Sequence, residues 1–491
     1  MLGFFAKRPA IGVLAILGGL VFGATMAHRS RASGPSTSSL SFLRPKPNLQ
    51  SGQPAAVDWR PLLSVERAEL RQGKLVQRLQ DGTRVTYTLD PKLQQWAKDY
   101  LRSYDLPYAA MVMLDVQSGK VLVMAGHASA NPKVDTRQLC LKPWAPAASV
   151  FKLVTAAALL DRGVSADATV CYHGGEHGLR KHNILDNPKI DKTCKSLSYA
   201  VAKSINPVMG KLAVRHLSAK HLEDWSYRFG FNRPIPFDLP VQPSQATIPD
   251  GDLDKARVAA GFWKSEASVL HGALIAGVAA SRGQLLWPRL VEEVAQSDGR
   301  KIIPFPPEPE RVMSRSAAEK LAAMMVETTR MGTGRSFRTR TGEAVFKFDV
   351  GGKTGSLSRS NPFLHYSWFV GFAPANKPKV AFAVLLGNPE KWKIKAHTAA
   401  RTLLGRYVNP EEGSKQQRSG AAVAKGNRAK AKPSARPARA AAKVKTSPAA
   451  QPTPAVAKGG NKAKAKPVVQ PPRRRKTTAA SGSPSRRARH S

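Results

Sequence analysis

The alternation of apolar and polar positions predicts strands near both ends of the central part of the chain and helices between them. Early in the chain, short strand-like runs are paired across turns that contain glycine, which is typical of β-hairpins. These runs are Lys74–Leu79, Arg84–Leu89, Met111–Val116 and Val121–Met124. Three further runs come much later, at Asp349–Gly355, Ser367–Phe372 and Val380–Leu386. The first pair of strands must therefore join the last three in one antiparallel sheet with helices on its faces.

Apolar residues at helical spacing predict the helices. Between residues 91 and 104, Leu93, Trp96 and Leu101 fall on one face of a helix. Further helices are predicted at about 147–160, 270–281, 316–329 and 398–407. The stretch 165–290 should be mostly helical around a loop-rich insertion at 171–195. These elements predict an α/β (α+β) fold in which an antiparallel sheet is flanked by helices.

A long uncharged run near the N-terminus predicts export of the protein. Pro9–Ala27 holds 19 uncharged residues, enough to span a bilayer as a helix. We favour an uncleaved signal anchor over residues 1–31. A cleavable signal peptide is the alternative, because Thr25-Met26-Ala27 is an acceptable cleavage site. Either interpretation exports the rest of the chain.

The C-terminal segment is strongly basic and poor in large apolar residues. From Gly413 onward there are 21 Lys or Arg residues and no Asp or Glu, and they carry 21 of the formal net charge of +44. Such a composition cannot bury enough apolar surface to fold, so we predict a disordered tail over residues 411–491. Between the two ends we expect a linker with a short non-catalytic segment at 32–80 and a folded domain at 81–410.

Three interpretations of the tail stay open. The tail can simply be solvated, it can attach by its charge to anionic envelope polymers or phospholipid, or it can bind nucleic acid. Export of the chain keeps the tail away from DNA, and no aromatic residue interleaves its charges. No nucleic-acid partner is therefore expected.

The cysteines predict one disulfide. Cys171 and Cys194 flank the insertion and are the preferred pair, since an exported protein can form disulfides. Cys140 is then left over, and sequence alone cannot fix the pairing. The alternative is a zinc site, although the spacing of its ligands fits no standard site. Its ligands would be Cys171, His173, His177, His182 and Cys194. We predict neither a metal nor another cofactor.

Candidate chemistry lies in three short motifs. They are Ser149-Val150-Phe151-Lys152, Ser204-Ile205-Asn206 and Lys353-Thr354-Gly355. Ser149 and Lys152 are three residues apart at a predicted helix start, so they share a face and the amine can reach the hydroxyl. A serine is a weak nucleophile until a base takes its proton, and a lysine is a poor base at its free pKa of about 10.4. Burial and a second cation, which Lys353 could supply, would both lower that pKa.

The middle motif adds two polar groups to this pair. Ser204 can relay a proton between Lys152 and a leaving amine, and Asn206 can hold the lysine and bind the amide of an acyl donor. The candidate catalytic residues are Ser149, Lys152, Ser204, Asn206 and Lys353.

The third motif lies on a predicted strand and offers a binding edge. Lys353 and Thr354 lie on this strand, and the candidate substrate-binding residues are Thr354, Gly355 and Ser356. Gly355 lets a ligand backbone come close, because it has no side chain. The backbone N–H groups of Ser149 and Ser356 are the candidates for an oxyanion hole.

The ordered trio is typical of penicillin-binding proteins and class A β-lactamases. Over about residues 85–408 the chain resembles the transpeptidase domain of penicillin-binding proteins. Four other segments resemble that family: Thr88–Gln94, Leu114–Met124, Ala279–Pro288 and Trp368–Pro374. The resemblance implies a transpeptidase domain at 81–410 with the β-lactamase/transpeptidase-like fold, in which a helical lobe adjoins the sheet. It also implies acyl transfer from a D-Ala-D-Ala stem peptide, with Ser149 forming the acyl-enzyme.

Departures from the family pattern narrow the expected activity. Ile205 stands where lactamases usually have Asp, and no convincing Glu-x-x-Leu-Asn segment of the class A type is found. Fast deacylation by water is therefore not expected. Ser356 follows Gly355 where Thr is commoner, a change that keeps a hydroxyl. We predict a peptidoglycan D,D-transpeptidase. A D,D-carboxypeptidase with the same acyl-enzyme and a non-catalytic β-lactam-binding sensor or scaffold are the alternatives.

The resemblance also predicts location and partners. It implies a bacterial protein held in the inner (cytoplasmic) membrane by a single N-terminal anchor, with the catalytic domain in the periplasm or otherwise outside the membrane. Too few residues separate the apolar run from the domain to form a glycosyltransferase, so we expect a separate glycosyltransferase as partner. The expected ligands are peptidoglycan stem peptides and β-lactam antibiotics.

Overall fold

The computed structural model describes residues 58–410, and its longer strands lie towards the two ends of that range. In chain order the strands are β1 (Glu69–Arg71), β2 (Lys74–Arg78), β3 (Arg84–Tyr87), β4 (Tyr108–Asp115), β5 (Val121–His127), β6 (Ala145–Pro146), β7 (Thr169–Tyr172), β8 (Thr193–Ser196), β9 (Gln245–Ala246), β10 (Ser265–Ala267), β11 (Gln284–Leu285), β12 (Val291–Ala295), β13 (Lys301–Ile302), β14 (Glu310–Arg311), β15 (Gly351–Ser360), β16 (Phe363–Ala373) and β17 (Val380–Asn388).

Among residues 58–410, nine of the eleven α-helices lie between β5 and β15. They are α1 (Pro91–Tyr104), α2 (Gln138–Leu141), α3 (Lys152–Asp161), α4 (Lys181–Ile184), α5 (Leu197–Lys203), α6 (Asn206–His216), α7 (Ala219–Arg228), α8 (Asp252–Ala259), α9 (Val269–Ala280), α10 (Arg315–Arg330) and α11 (Ala396–Val408). Helix α1 has the predicted bounds, because Pro91 opens it and the Asp90 side chain caps it by accepting from the Leu93 N–H.

The central sheet consists of five antiparallel strands in the order β15-β16-β17-β4-β5. Its middle strand β17 is buried at every position, and alternate residues point into two different cores. Ala383 and Leu385 pack in the larger core with α9, whereas Phe382 and Val384 pack in the smaller core with α1 and α11. Burial on both faces explains why this strand is an almost continuous apolar run.

The predicted sheet is confirmed, but only one of the two N-terminal hairpins belongs to it. Strand β4 pairs with β17 and β5 pairs with β4, so the runs beginning at Met111 and Val121 both lie in this sheet. The prediction that the first pair of strands joins the last three is wrong for β2 and β3, which lie in a second sheet ordered β1-β2-β3-β12-β13. Alternation marks a hairpin but does not encode its partner, and β3 pairs with β12 from much later in the chain.

Residues 58–80, expected to be a linker and a short non-catalytic segment, fold onto this second sheet. Trp59, Leu63 and Val65 are buried. The Ser64 backbone N–H donates to Gln77 Oε1 at 2.8 Å. The folded body therefore includes residues that precede position 81.

A helical lobe lies between β6 and β11. Helices α3, α5, α6, α7 and α8 pack against one another in it. Helix α9 is buried at all its positions and lies against β16 and β17, as expected for a helix that is apolar on every side. The lobe faces the edge strand β15, and the three motifs meet along that boundary.

The two ends of the chain lie outside residues 58–410. The predicted anchor or signal peptide at 1–31 and the predicted tail at 411–491 are not among the described residues. Within residues 58–410, no helix is both long and apolar enough to cross a membrane.

Candidate active site

The first two motifs sit at helix ends that face strand β15. A 3-10 turn, Ala148–Phe151, carries Ser149 and leads directly into α3, whose first residue is Lys152. Ser204 ends α5 and Asn206 begins α6, so the second motif occupies the turn between two helices. Helix ends bring short polar side chains together without interrupting the apolar packing behind them.

Lys152 is the centre of the site and has no exposed surface. Its Nζ lies 2.8 Å from Ser149 Oγ and 2.7 Å from Asn206 Oδ1, and it also donates to the backbone carbonyl of Ala260. Asn206 Oδ1 and the Ala260 carbonyl oxygen can only accept hydrogen bonds, so each of them takes one N–H group of the lysine. A neutral amine has only those two N–H groups and a lone pair. The lone pair then faces the Ser149 hydroxyl, which is the geometry that proton removal requires.

Two buried amines determine the electrostatics of the site. Burial lowers the pKa of Lys152 well below its ordinary value, and the charge of Lys353 lowers it further. Burial also lowers the pKa of Lys353, to about 7. Lys353 Nζ donates to Ser204 Oγ and to the Thr354 backbone oxygen, both at 3.0 Å. Because two adjacent ammonium groups repel each other, the site favours one charged amine, and we expect Lys152, whose pKa both burial and Lys353 lower, to be the neutral one.

Local backbone geometry holds the second motif. Ser204 has a φ of 63°, in the left-handed region that is uncommon for a residue other than glycine. The Asn206 backbone N–H donates to the Glu176 carbonyl at 2.8 Å, and its Nδ2 donates to the His177 carbonyl at 2.5 Å. The second bond fixes the orientation of the side-chain amide, so that Oδ1 faces Lys152.

The third motif lies on the edge strand, where alternate backbone N–H groups point away from the sheet. Gly355 is close to the nucleophile's turn, because a Cβ there would lie 3.3 Å from Ala148 Cβ and 3.4 Å from the Ser149 nitrogen. Ser356 follows and is exposed. The Ser149 amide therefore lies beside this strand, as an oxyanion hole built from the N–H groups of Ser149 and Ser356 would require.

Thr333 is a member of the site that the motifs did not reveal. Its hydroxyl and that of Thr354 are 2.5 Å apart, and its N–H donates to the Ala202 carbonyl at 3.1 Å. The only signal in the sequence is a threonine between two glycines after a helix, which is weak. The backbone carbonyls that bind the lysine amine and the asparagine amide were also missed, because every residue carries such a group.

A disulfide joins Cys171 to Cys194 and closes the insertion, whereas Cys140 is a buried free thiol. The bridged residues are directly opposite each other on β7 and β8. Because both sulfurs are bonded to each other, neither is a free thiolate that could bind zinc. His173 Nδ1 lies 2.6 Å from Asp191 Oδ1. Residues 58–410 contain no group of three or more His, Cys, Asp or Glu side chains that could hold a metal ion.

Comparison with known proteins identifies the family of this chain. The family described as "Penicillin binding protein transpeptidase domain" matches residues 109–404, which is more than half of the chain. The chain belongs to the penicillin-binding protein transpeptidase family. The predicted resemblance is thereby confirmed.

Relatives of this penicillin-binding protein cover most of its folded part. "Peptidoglycan D,D-transpeptidase PbpA" of Mycobacterium tuberculosis is 26% identical over 344 aligned positions, and the match covers 62% of this chain and 68% of that protein. The solved D,D-transpeptidase domain of a peptidoglycan glycosyltransferase from Eggerthella lenta is 26% identical with a TM-score of 0.54, covering 67% of this chain and 83% of that one. Penicillin-binding protein A from M. tuberculosis, solved as a penicillin G acyl-enzyme complex, has a TM-score of 0.52 at 22% identity, covering 66% and 80%. The last likeness supports the fold alone.

The isoleucine of the middle motif is explained by its position in the core. Ile205 has no exposed surface and is part of the larger core just before α6. An aspartate at this position would place a carboxylate among apolar side chains, which is costly without a partner. The apolar residue therefore suits the environment that this chain provides.

Proposed function

We propose that this chain is a serine-type peptidoglycan D,D-transpeptidase that works through an acyl-serine intermediate and binds penicillin covalently. The observation that carries the proposal is the 2.8 Å contact between Lys152 Nζ and Ser149 Oγ, made by a lysine whose pKa burial lowers. Family membership supports the transpeptidase class, and the serine–lysine pair supports the chemistry.

Acylation starts with attack on the carbonyl carbon of the penultimate D-Ala of a donor stem peptide. Lys152 takes the hydroxyl proton as Ser149 Oγ forms the new bond. The negative charge develops on the carbonyl oxygen, where the N–H groups of Ser149 and Ser356 would stabilise it. The peptide C–N bond then breaks, and the terminal D-Ala leaves as an amine that receives its proton through Ser204.

Substrate binding is assigned to the groups around this pair. The charged Lys353 and the hydroxyl of Thr354 would bind the terminal carboxylate of the donor. Asn206 Nδ2 uses one N–H for the His177 carbonyl and has a second for the donor's amide oxygen. An extended peptide can lie along the edge strand β15, because Gly355 leaves room for its backbone.

Deacylation transfers the acyl group to an amine of a second stem peptide. The acceptor amine attacks the ester carbonyl, Lys152 takes a proton from it, and Ser149 leaves with a proton restored. The product is a peptide crosslink. Penicillin would acylate the same serine, but its opened ring keeps the nitrogen attached, so no leaving group departs. Membership of the penicillin-binding protein family supports this extension.

The location of the body follows from the same proposal. A disulfide in the folded domain supports an oxidising compartment outside the cytoplasm. We place the domain in the periplasm, held by the N-terminal anchor, where it would act with a separate glycosyltransferase. Attachment of the basic tail to anionic envelope polymers or lipid would keep it near its substrate.

Product analysis tests the activity. The protein is incubated with a donor peptide that ends in D-Ala-D-Ala and with an acceptor peptide that carries a free amine. We expect a crosslinked dimer with one D-Ala released for each crosslink, and neither product from Ser149→Ala. Release of D-Ala without dimer would identify a carboxypeptidase. A folded parent protein that yields neither product would support the non-catalytic sensor or scaffold.

A further inference from the structure

The disulfide-closed insertion, residues 171–194, holds a residue of the active site. The carbonyls of Glu176 and His177 accept from the backbone N–H and the side-chain amide of Asn206, at 2.8 and 2.5 Å. Asn206 Oδ1 in turn accepts from Lys152 at 2.7 Å. One residue therefore links the insertion to the base.

A buried ion pair fastens the insertion to the same helix. Lys211 lies on α6, has no exposed surface, and donates to Asp191 at 2.6 Å and to the Cys171 carbonyl at 2.9 Å. His173 Nδ1 lies 2.6 Å from the other Asp191 oxygen. Burial acts to raise the pKa of Asp191, but the hydrogen bonds from His173 and Lys211 outweigh it and hold that pKa below its ordinary value. Lys211 also donates to Asp186 Oδ1 at 3.1 Å, so loss of the Asp191 charge would leave the buried ammonium with a single, more exposed carboxylate partner.

The insertion also makes an apolar contact with α6, in addition to its polar contacts with Asn206 and Lys211. Leu179 of the insertion is buried, and a Cβ on Gly210 would lie 3.0 Å from its Cδ1. A glycine inside a helix makes that helix less stable than an alanine would. Gly210 thus lets the insertion approach α6 closely. It is four residues after Asn206 and on the same face of the helix.

We propose that the disulfide-closed insertion is a positioning element of the active site, which keeps Asn206, and through it Lys152, in the reactive geometry. Asp191 and Lys211 act as positioning residues, because they touch neither the reacting atoms nor the substrate. The inference rests on the proposed function. Loss of the Cys171–Cys194 bridge would release the carbonyls that hold Asn206 while leaving the central sheet intact.

The first test measures the rate of acylation by a saturating fluorescent penicillin. Dithiothreitol reduces the bridge by thiol–disulfide exchange, giving two protein thiols and the cyclic disulfide of the reagent. Cys194 is exposed, so the reagent can reach it. We expect acylation to slow about 10- to 100-fold at a temperature well below unfolding, the size of effect that a misplacement of about 1 Å produces. The variant Cys171→Ser/Cys194→Ser should be slow and insensitive to reductant.

Matched controls separate the bridge from other effects. Cys140→Ser should respond to reductant as the parent does. Asp191→Asn should slow acylation, whereas Asp167→Asn should not, because the Asp167 carboxylate is exposed and forms no hydrogen bond or ion pair within residues 58–410. In an Asn206→Ala background, Asp191→Asn should have no further effect. A merely structural role would give the same loss in both backgrounds.

The outcomes distinguish this inference from the proposed function. Labelling at Ser149 that is unaffected by verified reduction or by Asp191→Asn would overturn the inference alone. Equal losses from Asp191→Asn with and without Asn206 would do the same. An oxidised parent protein that is not labelled at Ser149 would overturn both.

Discussion

At the scale of single residues, two lysine amines share one buried site. Lys152 contacts the nucleophile and Lys353 contacts Ser204, and burial disfavours a charge on either amine. Each amine also depends on the other, because the charge of Lys353 lowers the pKa of Lys152. The pair therefore titrates together, and a change at one lysine should appear in the pH dependence that the other controls.

Replacing Lys353 tests this coupling. In Lys353→Met the positive neighbour is gone, so the pKa of Lys152 rises and a smaller fraction of it is neutral at a given pH. The acid limb of the acylation rate should therefore move to higher pH, in addition to any loss of rate. Lys353→Arg keeps the charge and should leave that limb near its parental position. A limb that stays in place in Lys353→Met would contradict the account.

His271 gives the fold itself a pH dependence. It is fully buried, with Nε2 2.7 Å from the Phe229 carbonyl, and burial lowers its pKa from 6.5 to about 4. The unfolded chain then binds a proton before the folded one, so stability is lost as the pH falls from 6.5 towards 4, by about 3 kcal/mol. His271→Gln keeps a hydrogen-bond donor and does not titrate. Its unfolding free energy should vary less over that range, and an unchanged pH dependence would argue against this role.

At the scale of elements, the connection between α8 and β10 supports the catalytic turn. Gly261 has a φ of +83°, and a Cβ there would lie 2.2 Å from the Ala148 carbonyl oxygen and 2.9 Å from Ser149 Cα. Gly261→Ala should therefore displace the nucleophile and the neighbouring Ala260 carbonyl. Acylation should slow about 10-fold or more, with a loss of about 1–3 kcal/mol in unfolding free energy.

Gly251 provides the matched control on the same stretch of chain. It has a negative φ, and a Cβ there would meet nothing within 4 Å. Gly251→Ala should leave acylation at the parental rate and change stability by less than about 0.5 kcal/mol. Equal effects of the two substitutions on acylation would show that close packing at Gly261 does not position the serine.

The elements also show how far the sequence predicts this protein. Helix α1 was predicted at its observed bounds because Pro91 and the periodic apolar residues mark it locally. The three motifs were found because their chemistry lies in side chains. The sheet to which β2 and β3 belong was predicted wrongly, because β3 pairs with β12, a strand that is distant in sequence. The hydrogen bonds that orient Asn206 were not predicted, because backbone carbonyls such as that of His177 have no sequence signature.

At the scale of the whole molecule, the basic tail and the folded domain have separable expected roles. A chain that ends after Asn409 should still be acylated by penicillin, because every residue of the site lies before that point. It should lose co-sedimentation with purified cell wall at low salt, since the truncation removes 21 positive charges and only two negative ones, those of Glu411 and Glu412. Sedimentation equal to that of the full chain would contradict the tail hypothesis and leave the enzyme hypothesis untouched.

The most direct measurement concerns the nucleophile. A shortened chain, residues 32–412, is incubated with a fluorescent penicillin and separated on a denaturing gel beside its Ser149→Ala variant. The account predicts a stable fluorescent band in the parent and none in the variant, because Ser149 forms an ester that water does not quickly cleave. A band of equal strength in folded Ser149→Ala, or no band in the folded parent, would contradict it.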